Sequence, residues 1–541
     1  MSQEWWRGCV IYQVYPRSFC DSNADGVGDI QGLISKLRHI ADLGAEAIWL
    51  SPFFRSPMKD FGYDVSDYRD VDPIFGTLED FQELIKKAHA LDLKIMIDQV
   101  WSHSSDQHIW FKESRRSRDN DKADWYIWAD PKADGTAPNN WLSYFGGPAW
   151  TWDSRREQYY LHHFLKEQPA LNLRNPDVRQ EIKNIAAYWL DMGVDGFRLD
   201  VAHTYLCDAQ LSDNPSRQDG DPIPTDIPLS NPMAYQRRIK SMCLDENFEW
   251  IEELRKHVNQ WPDRCLLAET GGDESEKLAA TYVQTDHRFH LAYTFSLLTS
   301  SLDKTAVVDA IQTVESHIKD GWICWSVGNH DFKRAVSRVT SDPHKRYDAA
   351  LYSMALGLTL RGSFCMYQGE ELGLPQAELG FEDLVDPYDI MLYPEHVGRD
   401  GCRTPIPWHA TAPHGGFSTV SGKTWLPVGE DHVALAADIQ EDDTASVLSV
   451  YKRFLSWRKN CEALRLGEIH VLGSPDDIIV YERLHEDHSI LCVFNSSQKQ
   501  QCFRKTVAFE DHKFLREHSY NCSVEGELLR LEPYGYCFLG N

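Results

Sequence analysis

Short apolar runs alternate along this chain with longer amphipathic stretches, and that rhythm predicts its fold. Eight runs rich in branched and aromatic side chains read as buried strands: Val10–Tyr15, Ala47–Ser51, Leu93–Gln99, Val194–Asp200, Cys265–Glu269, Leu291–Phe295, Cys324–Val327 and Phe364–Gln368. Between them, segments such as Leu78–Leu91 and Gln180–Met192 repeat apolar residues at three- and four-residue spacing, the period of a helix with one buried face. Eight such β/α units predict an α/β fold, a closed (β/α)8 TIM barrel, whose reactive groups sit at the C-terminal ends of the strands.

Two segments break the alternation. From Ser104 to Leu173 the chain is rich in Trp, Asp, Asn, Gly and Pro without sustained periodicity, which is too long for a plain loop. It reads as an inserted excursion domain after the third strand. The polar, Pro-rich stretch Thr204–Asn231 reads as a lid over the barrel mouth. Beyond a helix near Val447–Trp457, the runs Ile478–Tyr481, Ile490–Phe494, Leu528–Leu531 and Tyr536–Leu539 predict a C-terminal antiparallel β-sandwich. The expected organisation is a barrel built from 1–103 and 174–460, an inserted domain over 104–173 and a β-sandwich over 461–541.

At 541 residues the chain suits a large barrel with smaller modules, and its 42% hydrophobic and 25% charged residues are those of a soluble globular enzyme. The net charge of −27 argues against nucleic acid or an anionic membrane as partner and identifies no substrate. The 13 cysteines lack CxxC spacing in a chain too large to need staples, which predicts reduced thiols. Met1–Arg7 shows no secretory pattern and no apolar stretch reaches membrane-spanning length. A cytoplasmic monomer or homodimer is expected.

The candidate chemistry lies at the strand ends. GFRLD (Gly196–Asp200) closes an apolar run with Arg198 and Asp200 on one side of a strand, because side chains alternate. DQVWSH (Asp98–His103), LLAE (Leu266–Glu269) and GNHD (Gly328–Asp331) likewise carry apolar runs into a carboxylate or histidine. Arg198 should keep Asp200 ionised well below neutral pH, and desolvation at the end of CLLA should raise Glu269.

In this order the four strings resemble the α-amylase family of glycoside hydrolases, most closely its oligosaccharide-cleaving α-glucosidase and oligo-1,6-glucosidase branch. The resemblance covers nearly the whole chain. It implies Asp200 as nucleophile, Glu269 as general acid/base and Asp331 as the carboxylate that grips sugar hydroxyls. It also implies that His103 and His330 hydrogen-bond the cleaved glucose, with Arg198 among the substrate-binding residues and Asp98 bracing it. KDFGYDVSDY (Lys59–Tyr68) resembles the loop whose Asp and Tyr line the glucose pocket, here Asp60 and Tyr63. GRDGCRTPIPW (Gly398–Trp408) resembles the loop whose first arginine, Arg399, meets that Asp across a blind end. Phe145 and Phe164 are the expected apolar walls.

DSNADGVGD (Asp21–Asp29) offers oxygen ligands at alternate positions: Asp21, Asn23, Asp25, the Val27 carbonyl and Asp29. The matching family loop implies one structural Ca²⁺ or Mg²⁺; no organic cofactor is expected. Three positions depart from the family pattern. Ser102 replaces a calcium-binding Asn, while Ala170 and His203 replace an Asp and an Asn expected near the pocket mouth. Val201, directly after the nucleophile, tends in the family to accompany α-1,6 cleavage. The implied function is a retaining exo-α-glucosidase acting on short α-1,4 or α-1,6 glucosides, with transglucosylation as a side activity. The alternatives are a sucrose or trehalose isomerising relative and, from another class, a non-catalytic transporter-associated subunit, which would lack the full carboxylate set.

Overall fold

The computed structural model describes residues 4–394, 398–475 and 477–541, so Met1–Gln3 of the amino-terminal stretch lie outside the described residues. All eight apolar runs form strands: β1 (Val10–Val14), β2 (Ala47–Leu50), β3 (Lys94–Gln99), β4 (Gly196–Leu199), β5 (Cys265–Thr270), β6 (Leu291–Thr294), β7 (Cys324–Ser326) and β8 (Ser363–Tyr367). They pair in parallel in the order β6-β5-β4-β3-β2-β1-β8-β7. A parallel bridge from Ala292 to Ile323, at the foot of β7, joins the two edges and closes the barrel.

Alternation decides which side chains fill it. Ile11, Trp49, Met96, Cys265, Leu267, Leu291 and Cys324 pack together inside the barrel. Their neighbours Tyr12, Ile48, Ile95, Leu266 and Ala268 belong to the separate core that includes the surrounding helices. Gly196 opens β4 for a steric reason: a Cβ there would stand 2.5 Å from the Cys265 carbonyl oxygen. The helices begin at local capping signals. Asp29 accepts from the Gly32 amide to start α1 (Ile30–Leu43), and Thr77 and Asp80 form a reciprocal capping box on α2 (Leu78–His89). Asn175 and Pro176 start α3 (Pro176–Met192), which stops at Gly193 with φ of 107°.

Between β3 and α3 the chain makes a small unit with a helix at Ile109–Ser114 and a three-stranded antiparallel sheet of Trp128–Ala129, Gln158–Leu161 and Trp150–Asp153. Trp141, Trp150 and Leu161 form its core. The lid carries no helix or strand between 205 and 231.

The C-terminal strands are β9 (Glu468–Val471), β10 (Ile478–His485), β11 (His488–Asn495), β12 (Gln501–Arg504), β13 (Lys513–Phe514), β14 (Tyr520–Glu525) and β15 (Leu528–Gly540). They belong to one antiparallel sheet. The two runs expected as separate strands, Leu528–Leu531 and Tyr536–Leu539, are one continuous β15. Tyr534, with φ of 58°, bends it, so its first half pairs with β12 and its last residues pair with β11 and β13. All 13 cysteines are free thiols, with Cys502 exposed and Cys243 and Cys522 half-buried. Among the described residues no helix is long and apolar enough to cross a membrane.

Candidate active site

Strand ends bring the four sequence motifs to one pocket. Arg198, on β4, is its electrostatic centre. Its Nη1 donates to Asp98 Oδ1 at 2.9 Å and to Asp200 Oδ1 at 2.6 Å, while Nη2 lies 2.6 Å from Glu269 Oε1. One guanidinium therefore serves three buried carboxyls. Burial pushes Asp200 up to about 7 against the pull of Arg198, with Asp98 adding to the rise. This corrects the expectation that Arg198 holds Asp200 ionised well below neutrality: its one charge is divided among three anions. Burial likewise raises Glu269 to about 7, as expected, with Arg198 opposing and Asp200 reinforcing. Asp331 behaves in the opposite way. Burial alone would raise it, but His330, Arg399 and Arg403 hold it well below the usual carboxylate range.

At the blind end, Arg399 Nη2 donates to Asp60 Oδ1 at 2.9 Å, the pairing expected from the two loops. Asp386, which the sequence reading missed, is a second partner: it accepts from Arg399 Nε at 2.7 Å and Nη2 at 2.5 Å. Gln168 Nε2 donates to the other oxygen of Asp60 at 3.0 Å, and Arg403 Nη2 donates to Asp331 at 2.9 Å. The guanidinium of Arg399 stands over the Phe145 ring at 5.3 Å, and Phe164 stacks on Tyr144.

Asp60, Tyr63, His103, Phe145, Phe164, Asp200, Glu269, Asp331 and Arg399 all line the cavity. Arg198 and His330, expected to touch substrate, stand one layer behind. Arg198 is engaged by the carboxyls, and His330 by Gln13 at Nδ1 (2.8 Å) and the Tyr63 hydroxyl at Nε2 (2.5 Å). Burial lowers His330 to about 3 and His103 to about 4, so both are neutral acceptors or donors here, not cations. Ala170 also differs from expectation. It is buried in the core of the inserted unit and bridges His103, while Gln168 reaches the pocket.

The pocket is also lined by Val201, His203 and the lid residues Asp226, Ile227 and Pro228. Val201 adopts a left-handed conformation, φ 38° and ψ 46°, which is costly for a β-branched residue. In exchange its N–H points at Glu269 and donates to Oε2 at 2.8 Å. Asp226 ties three elements together. Its Oδ2 accepts from the Tyr144 hydroxyl and Arg238 Nη1 at 2.8 Å and from the Gly272 amide at 2.9 Å, and its Oδ1 accepts from Arg238 Nη2 at 2.7 Å.

The Asp21–Asp29 loop lies away from this pocket. Asp21 accepts from the amides of Asn23, Ala24 and Gly26, Asn23 from that of Asp25, and Asp25 from that of Val27. Asp29 is occupied as the cap of α1 and by Ser22. Among the described residues no group of three or more His, Cys, Asp or Glu side chains is placed to hold a metal ion. A cation here would have to use the Asn23 and Val27 oxygens as well as carboxylates. That all-oxygen donor chemistry suits Ca²⁺ or Mg²⁺.

A blind pocket at the C-terminal mouth of a barrel, with two carboxyls facing across one guanidinium, defines a glycoside hydrolase site. A family profile described as "Alpha amylase, catalytic domain" matches residues 13–467. The chain belongs to the α-amylase family of glycoside hydrolases. It is 47% identical over 522 residues to a probable alpha-glucosidase of Rhizobium meliloti (strain 1021), covering 95% of this chain and 94% of that one. It is 33% identical to an oligo-1,6-glucosidase of Parageobacillus thermoglucosidasius, covering 99% and 98%. Among solved structures, the alpha-glucosyl transfer enzyme XgtA superposes with a TM-score of 0.96 at 46% identity, covering 100% of both chains. The trehalulose synthase MutB of Pseudomonas mesoacidophila MX-45 superposes at 0.88 with 30% identity, again over 100% of both.

Proposed function

We propose that this protein is a retaining exo-α-glucosidase that removes glucose from the non-reducing end of short α-1,4 or α-1,6 glucosides. The observation that carries this reading is the closed end: Asp60, Arg399 and Asp386 form a charged floor that a terminal sugar can hydrogen-bond but a longer chain cannot pass. Asp200 attacks C1 of the bound glucose as the bond from C1 to the leaving oxygen breaks, and Glu269 gives that oxygen its proton. Glu269, now ionised, takes a proton from water as the water oxygen attacks C1, releasing Asp200 and α-glucose. A sugar or alcohol hydroxyl in place of water gives transglucosylation.

The free thiols support a reducing, cytoplasmic setting, and the assembly we propose is a monomer or homodimer. We assign the Asp21–Asp29 loop one structural divalent cation, held by Asp21, Asn23, Asp25, Asp29 and the Val27 carbonyl, which would stiffen the approach to α1. The test is product analysis on maltose, isomaltose, sucrose and trehalose with the wild type and Asp200→Asn. We expect α-glucose as the first product from maltose or isomaltose, and none from the variant. Rearranged disaccharides from sucrose or trehalose as the main products would favour the isomerising alternative.

A further inference from the structure

Glu269 and Tyr293 are register partners on the parallel strands β5 and β6, so both side chains enter the same layer of the barrel. Tyr293 is 1% exposed and does not line the pocket. Its hydroxyl receives an N–H from Arg198 Nη2 at 2.8 Å and stands 3.0 Å from Glu269 Oε1. A guanidinium can only donate. Burial keeps the phenol protonated, far above its ordinary range. The hydroxyl proton therefore has one acceptor, Oε1 of Glu269.

This settles how the two oxygens of Glu269 are used. Oε1 receives the Tyr293 O–H at 3.0 Å and lies in ion-pair contact with Arg198 Nη2 at 2.6 Å, so both groups crowd this oxygen. Among the described residues Oε2 receives a single hydrogen bond, from the Val201 N–H at 2.8 Å, and keeps a lone pair for the acid proton. The other groups facing Glu269 are Asp98 on β3, Asp200 at the end of β4, His203 in the turn that follows, and Asp331 beyond β7.

We propose that Tyr293 is a positioning residue for the general acid: oriented by Arg198, its hydroxyl occupies Oε1 of Glu269 and assigns the acid proton to Oε2. The proton then leaves Oε2 for the glycosidic oxygen as the electron pair of the C1–O bond moves to that oxygen. The inference rests on the α-glucosidase reading and names a further residue of the same site.

The test is Tyr293→Phe, which removes one donor and little volume. Losing a donor to the carboxylate should raise the basic limb of kcat/KM by about half to one pH unit. Maltose or isomaltose turnover, which depends on protonation, should fall about 10–100-fold, while 4-nitrophenyl α-glucoside should lose less than about threefold. Tyr293→3-fluorotyrosine, a stronger donor of nearly the same shape, should move the limb downward and covers the case that the Phe variant folds poorly. Isotope-edited infrared titration of Glu269 needs no substrate and should report the same shifts. It therefore separates failure of this assignment from failure of the substrate reading. An unmoved Glu269 titration, or equal losses on both substrates, overturns the proposal.

Discussion

Arg399 and Asp60, 339 positions apart in the chain, meet at 2.9 Å and close the far end of the sugar pocket. The contact is one of four that the Arg399 guanidinium makes to carboxylates, with Asp386 taking two and Asp331 one at 3.3 Å. Arg399→Ala would leave Asp60 and Asp386 buried without their cation. Breaking a buried pair this way costs about 3–5 kcal/mol. A lowered melting temperature and a KM for maltose raised by about 100-fold or more are expected, read by calorimetry and initial rates. Arg399→Lys should recover stability better than binding, because an ammonium cannot reproduce the fork. A variant with unchanged KM would refute the exo reading of this end.

The protonation of the catalytic carboxyls predicts a stability profile. Burial raises Asp200 and Glu269 to about 7, so the folded state holds more protons than the unfolded one between their ordinary range and about pH 7. Their contribution to stability is therefore complete below about pH 4 and is lost as pH rises through about 7. Asp200→Asn, which cannot ionise, should stabilise the protein at pH 8 by about 1–3 kcal/mol and leave it nearly unchanged at pH 4.5. Melting curves at the two pH values check this, and an equal shift at both would contradict it. Asp331→Asn should do the reverse at pH 8 and destabilise, since its carboxylate is held low by burial-defying contacts with His330, Arg399 and Arg403.

The Asp21–Asp29 loop predicts a metal-dependent melting temperature. A ligand of the native state stabilises by mass action, so excess chelator should lower the melting temperature and Ca²⁺ or Mg²⁺ should restore it. Unchanged melting together with no divalent ion by elemental analysis would count against the assignment.

Val201 bears on linkage. It lines the pocket directly after Asp200 and offers no hydroxyl to a second sugar. We expect isomaltose-type substrates to be somewhat preferred, with appreciable maltose turnover. Val201→Thr should raise the maltose-to-isomaltose ratio of kcat/KM about tenfold, or roughly 1.4 kcal/mol. A wild type that cleaves maltose far faster than isomaltose would remove the preference and leave the α-glucosidase reading intact.

The barrel was legible because each strand is a compact apolar run, and four of the runs lead into a carboxylate or histidine. Asp200, Glu269 and Asp331 stand out for that reason, and so do Asp60 and Arg399, which sit in recognisable loops. Asp386 and Gln168 were not legible. Each lies in a segment without periodicity, and its partner is fixed only when distant loops fold together. Tyr293 was partly legible: it sits inside an expected strand, and a parallel register could have set it beside Glu269. The break between the last two C-terminal runs misled because Pro533 and Tyr534 resemble a strand end, whereas the backbone bends there and continues. Arg198's position behind the lining was hidden as well, since alternation gives the side of a strand but not the depth within the barrel.

The Asp226 latch has a consequence for how molecules enter and leave. Lifting the lid would separate Asp226 from Arg238 and strip it from Tyr144 and Gly272, stranding buried charge at several kcal/mol per ion. The lid residues Asp226, Ile227 and Pro228 are thus held as part of the pocket wall, and moving them away carries that cost.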